Sequence, residues 1–236
     1  MCGRYMLSGH QEFSERFQLR QIPEGLFPRF NAAPSQHLPV VLEGEPGERE
    51  TRLLRWGLIP RWRKPGGGST IAPINARSET LLEKPMFRSL VGKRRCLVPA
   101  HGFYEWRRIG TKKQPYHFHL PDHALFGFAG LWDDPPAGEE VGSFTIITTS
   151  ANDLVAPLHD RMPVILRPED EEAWLDPDLD EPRAALTLLH PYPADAMDAY
   201  PVSPAVNNAR NEGPELIEPS AELTSLAMPK HSTSPQ

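Results

Sequence analysis

Between residues 40 and 166 the chain runs as short apolar segments cut apart by Gly, Pro and Asp, and this punctuation constrains its fold more than any other feature. Runs at 40–42, 52–58, 96–98 leading into 103–106, 116–120, 125–131, 143–149 and 163–166 have strand character. Helical patches fall near 9–18, where Ser8 and Gln11 have the spacing of a capping box ahead of Phe13 and Phe17, at 79–84, at 169–175 after Pro168, and around 183–189. Pro28, Pro34 and Pro39 forbid a continuous helix over 27–39 and predict an ordered loop there. Strands with interspersed helices, lacking regular strand–helix alternation, predict an α+β class. The expectation is one domain over residues 1–227, built around a curled, barrel-like, mainly antiparallel sheet with flanking short helices. Residues 228–236 are small, polar and proline-rich, which predicts a disordered tail.

No apolar run approaches the roughly 18 residues that span a bilayer, and no basic-then-apolar leader opens the chain, so no membrane partner and a cytoplasmic location are expected. Two cysteines, Cys2 and Cys96, are too few for a disulfide framework or a four-cysteine zinc site. His117 and His119 alternate on a strand with no third ligand evident nearby, which argues against a metal hydrolase; no cofactor or metal is predicted. The net charge of −6 conceals an asymmetry: residues 1–120 hold 20 Lys+Arg against 10 Asp+Glu, and residues 121–236 hold 5 against 21. Acidic overall balance therefore does not exclude a nucleic-acid partner, although uneven surface charge is an equal reading.

The chain opens Met1-Cys2-Gly3-Arg4. A small second residue permits removal of the initiator methionine, which would leave Cys2 with an α-amine of pKa about 8 beside a thiol of pKa about 8.5. The amine can condense with an aldehyde, and the thiol can close on the imine carbon to give a five-membered thiazolidine. Taken alone, Cys2 reads first as one residue of a loose terminus, and the other motifs are what shift that reading.

Four further clusters carry chemistry. Asn75 and Arg77 stand two apart, so an extended chain projects both to one side, an arrangement suited to phosphate or to a polar turn. Glu105 sits between Tyr104 and Trp106 at the end of an apolar strand, where desolvation would suit it to proton transfer. His159 and Arg161 follow a polar turn, and histidine is the side chain best placed to shuttle protons at neutral pH. Around Trp56, Arg61, Trp62, Arg63 and Lys64, aromatics alternate with cations before a glycine-rich loop, the combination that holds single strands by stacking and charge.

Together, Met1-Cys2-Gly3-Arg4, Asn31-Ala32-Ala33-Pro34, Trp56-Gly57-Leu58-Ile59-Pro60, Asn75-Ala76-Arg77-Ser78-Glu79, Gly102-Phe103-Tyr104-Glu105-Trp106 and His159-Asp160-Arg161-Met162-Pro163 resemble the SRAP family of SOS-response-associated peptidases, or abasic-site-processing proteins. The resemblance runs from Cys2 to about Pro214, with 202–208 similar to the family's closing strand. It implies a β-rich α+β domain with a basic groove, acting as a monomer on single-stranded DNA that contains abasic sites. It further implies a covalent thiazolidine crosslink through Cys2 after Met1 removal, shielding the lesion, with autopeptidase and AP-lyase activities. By resemblance Cys2 is the nucleophile, Asn75 positions its amine and the opened sugar, Glu105 manages protons and His159 helps open the sugar ring. Arg4, Arg77 and Arg161 match phosphate-binding arginines, and Trp62 and Trp106 are candidate DNA contacts.

Two other readings stay open on sequence. A cysteine peptidase pairing Cys2 with His159 predicts turnover of added peptides. A non-covalent single-strand-binding module predicts salt-sensitive binding indifferent to Cys2.

Overall fold

The computed structural model describes residues 2–9, 12–22, 28–45, 47–64, 72–179 and 181–220. The predicted tail at 228–236, Gln11 of the expected capping box and the glycine-rich run 66–68 lie outside them.

Twelve strands among the described residues form two sheets. The larger contains β3 (His37–Glu43), β4 (Arg49–Trp56), β6 (Arg95–Ala100), β9 (Phe126–Asp133) and β10 (Ser143–Ser150), which pair in the cyclic order β3-β4-β10-β9-β6 and so close on themselves. Short strands β5 (Asn75–Arg77) and β11 (Arg161–Pro163) add to opposite edges of the far end of β10. The smaller sheet has the order β12 (Asp198–Pro201), β8 (Lys112–His119), β7 (Gly102–Ile109), β1 (Tyr5–Leu7), β2 (Arg29–Ala32). All pairings are antiparallel except those of β10 with β4 and β5. The curled α+β architecture expected from the strand punctuation is thus the one observed.

Both faces of β3, β6 and β9 are largely buried, which is why their apolar runs are nearly continuous. Val40, Val98, Phe128 and Ile146 point toward the smaller sheet and pack with Tyr5, Phe103 and Phe118. Their neighbours Val41, Leu97, Ala129 and Ile147 point the other way, against Phe13 and Phe17 of α1 (Phe13–Phe17), Phe87 and Leu90 of α2 (Pro85–Val91), Trp174 of α3 (Pro168–Leu175) and Ala185 of α4 (Pro182–Leu186). Buried Arg95 donates to the carbonyls of Val91 and Gly92 at the end of α2 and of Trp174 and Asp176 at the end of α3, satisfying helix-terminal acceptors that have no partner within their helices.

The differences from expectation have local causes. The helix expected over 79–84 is only a 3-10 turn at Ser78–Thr80, because Pro85 holds Lys84 extended (φ −85, ψ 121) and a new helix starts on the proline. The helix near 9–18 is confined to Phe13–Phe17, with Glu12 at its N-cap and Gln18 left-handed (φ 55) at its end. Residues 96–98 and 103–106 belong to separate strands in different sheets. Within the expected loop 27–39 lie strand β2 and the start of β3. The closing strand sits at Asp198–Pro201, earlier than 202–208, since Pro204 opens a 3-10 turn capped by the Ser203 side chain.

Candidate active site

Cys2 does not lie in a loose terminus. It lies three residues before Tyr5, the first residue of β1, which β7 and β2 flank, and its side chain is fully buried in the core between the two sheets. Its thiol donates to the carbonyl of Arg4 at 3.7 Å. Burial pushes the thiol well above its ordinary pKa, and the charge of Glu105 pushes it further the same way, so the sulfur is held protonated at neutral pH.

Two strands from different sheets bring the other candidates to Cys2. The pairing Tyr5↔Phe103 runs β7 alongside the start of the chain and brings Glu105, only 4% exposed, within the electrostatic reach of the thiol. From the barrel side, β5 alternates half-buried Asn75, buried Ala76 and exposed Arg77. Asn75 Nδ2 donates to the Cys2 carbonyl at 2.9 Å, across 73 residues of sequence. A cysteine backbone, a carboxylate and an amide therefore meet in the seam between the sheets.

The arginines divide. Arg77 is exposed, and among the described residues no carboxylate pairs with it. Arg4 is half-buried and donates through Nη1 to the Val206 carbonyl at 3.2 Å; burial lowers its pKa. Arg161 is committed inside the protein: Nη1 and Nη2 hold the two oxygens of Glu79 at 2.6 and 2.8 Å, and Nη2 also reaches the Thr148 carbonyl at 2.6 Å.

His159 lies 31% exposed on the turn before β11. Its Nδ1 is 2.9 Å from both the Arg161 backbone N–H and Asp160 Oδ1. The amide has a fixed hydrogen, so in this contact Nδ1 accepts it and the neutral ring carries its proton on Nε2. Among the described residues the thiol of Cys2 has no imidazole partner.

Trp62 stands on the surface at 69% exposure, free to stack. Trp106 is half-buried and donates Nε1–H to Asn207 Oδ1 at 2.6 Å, packed beside Val206.

Sequence reading assigned no role to Asn31 or Glu79, although both stand in quoted motifs. Buried Asn31 Nδ2 lies 3.0–3.2 Å from the carbonyls of Val206, Asn208 and Asn211, fastening that segment beside Arg4. One further expectation is corrected. His117 and His119 do have a third potential ligand, since the chain reverses at Asp122 and His123 (φ 55 and 51) and returns the His123 ring to them.

The model of the family described as "SOS response associated peptidase (SRAP)" matches residues 1–209. The chain is 45% identical over 224 residues to abasic site processing protein YoqW of Bacillus subtilis, covering 92% of this chain and 99% of that one. It is 35% identical over 253 residues to abasic site processing protein HMCES of Rattus norvegicus, covering 91% and 71%. A crystal structure of a protein from Bacteroides thetaiotaomicron superposes with a TM-score of 0.83 at 29% identity, covering 93% and 100%. With its sheet architecture, its buried Cys2 and these matches along almost its whole length, the chain belongs to the SOS response associated peptidase family.

Proposed function

We propose that this chain processes abasic sites in single-stranded DNA by bonding covalently to the lesion through Cys2. The observation that carries the reading is the Asn75 Nδ2 bond to the Cys2 carbonyl, which anchors a buried cysteine backbone within the field of Glu105. The relatives named abasic site processing protein supply the substrate class.

Removal of Met1 by hydrolysis of the Met1–Cys2 bond exposes the α-amine; the site itself performs this step in the autopeptidase form of the proposal. His159 assists opening of the deoxyribose ring, which frees the C1′ aldehyde. The amine adds to that carbonyl and one water leaves, giving an imine. The thiol then adds across the C=N bond: sulfur bonds to carbon, its proton passes by way of Glu105 to nitrogen, and a thiazolidine results. A thiol held protonated needs such an acceptor close by, and in this reading Glu105, whose charge acts on the thiol, is that acceptor. If the imine instead loses its neighbouring proton before closure, the 3′ phosphate departs by elimination, which is the AP-lyase branch. In this reading Arg77 and Trp62, both exposed, meet backbone and bases.

The test incubates the chain lacking Met1 with an oligonucleotide bearing one abasic site. A denaturation-resistant adduct is expected, with the mass of protein plus DNA minus one water. Lesion-free DNA, Cys2→Ala and a form that keeps Met1 should each give none. A folded chain with Cys2 exposed as residue one that never becomes attached would end the proposal.

A further inference from the structure

β8 presents His117 and His119 on one face, directly opposite Tyr200 and Asp198 of β12. Past the strand, Asp122 and His123 both take left-handed backbone, an unfavourable state for residues with side chains, and the reversal stacks the His123 ring on His119 with centroids 4.0 Å apart. His117 lies 5.3 Å from His119 and 5.7 Å from His123. One ligand nitrogen from each ring falls within 4.8 Å of the others.

The hydrogen bonds fix two tautomers. The Tyr200 hydroxyl has one hydrogen and donates it to the Ile217 carbonyl at 2.8 Å, so its oxygen accepts from His117 Nδ1–H at 3.1 Å. His119 Nδ1 lies 2.7 Å from the Leu120 carbonyl, which only accepts, so this ring also carries its hydrogen on Nδ1. Both rings are left with Nε2 as a lone pair while Nδ1–H is held by an oxygen, the arrangement that orients metal-binding histidines. His117 Nε2 is completely buried with no hydrogen-bond partner among the described residues, and so is His123 Nδ1. Gly102 keeps the first of these uncapped, since a Cβ there would come within 2.2 Å of it.

We propose that His117, His119 and His123 bind one divalent transition-metal ion of borderline softness, of the zinc class. Imidazoles select such ions over calcium or magnesium, which require oxygen. The rings now lie within 20° of parallel, so capture turns His123 about its broad χ2 torsion, while His119 keeps its bond to the Leu120 carbonyl, until three nitrogens converge at the Zn–N distance of roughly 2.0–2.1 Å. His117 stays fixed by Tyr200. The ion ties the turn after β8 to the strand that carries Tyr116 opposite Glu105, and so acts as a structural clamp behind the site.

The test titrates the chelator-stripped full chain with zinc chloride alone. Calorimetry should give one ion per chain, and at zinc a hundredfold above its Kd the melting temperature should rise by about 5–10 °C. In long-range ¹H–¹⁵N spectra the Nε2 signals of His117 and His119 should move. His123→Ala, a partly exposed position, should weaken binding at least tenfold and remove the melting shift. Cys2→Ala should leave zinc binding intact; its loss there would assign the ion to Cys2 and overturn the proposal. No binding up to millimolar zinc, unmoved Nε2 signals, or undiminished binding by His123→Ala would overturn it equally.

Discussion

Arg161 grips Glu79 with both terminal nitrogens, at 2.6 and 2.8 Å, and so joins the turn after β5 to the start of β11 across 82 residues of sequence. The pair holds the Glu79 carboxyl below the usual carboxylate range through that hydrogen bond. A guanidinium engaged in this way, and 89% shielded from solvent, stabilises the edges of β10 before it can serve any phosphate.

Arg161→Ala is therefore expected to destabilise the fold by about 1–3 kcal/mol, because the Thr148 carbonyl loses a charged donor in the interior. Glu79→Gln should cost less than about 1 kcal/mol, as Glu79 is half exposed. Denaturant midpoints measure both. An unchanged midpoint for Arg161→Ala, with loss confined to DNA affinity, would reverse this assignment.

Asn75→Ala removes the side-chain bond to the Cys2 carbonyl seen among the described residues. Adduct formation should slow roughly tenfold, the equivalent of one hydrogen bond of about 1.4 kcal/mol in the reacting geometry, with little change in unfolding. Single-turnover gels on lesion-bearing DNA give the rate. Wild-type speed in this variant would detach Asn75 from the chemistry.

Trp62 is exposed and contributes nothing to the buried core. Trp62→Ala should weaken non-covalent single-strand binding by about 1–3 kcal/mol, the range for one stacked base, and leave the melting temperature alone. Fluorescence anisotropy with an unreactive oligonucleotide checks it.

Alkaline stability follows from the raised thiols of Cys2 and Cys96, both held up by burial. Above about pH 8.5 the unfolded chain releases these protons while the folded chain keeps them, so stability is full below that pH and falls as pH rises, by about 1.4 kcal/mol per pH unit for each thiol. Cys96→Ala, compared at equal reference stability, should show a shallower alkaline decline. Identical slopes would contradict the burial argument.

On the acid side, burial, with His123 adding to it, pushes His101 down to about 4. The unfolded chain takes up this proton below about pH 6.5 and the folded chain does not until about pH 4, so stability is present above 6.5 and is lost through that window, by about 3 kcal/mol in all. His101→Gln should flatten the melting-temperature profile between those limits.

Local pattern carried the α+β class, most of the long strands and the chemistry available to residue 2, because side-chain alternation and proline positions act over a few residues and can be read from them. Motif order also marked Asn75, Glu105, His159 and the arginines as candidates. The short strands Tyr5–Leu7 and Arg29–Ala32 escaped notice, since three or four residues display no period of their own and form only where β7 offers an edge to the first and the first an edge to the second. Which candidates touch was decided by closure of the barrel against the second sheet: Asn75 meets Cys2 over 73 residues, and Arg161 turns inward to Glu79. The return of His123 onto His119 likewise depends on two left-handed residues that nothing in the sequence before them demands. Contacts at that separation are selected by the free energy of packing whole sheets together, a quantity that belongs to the assembled chain and to no segment of it.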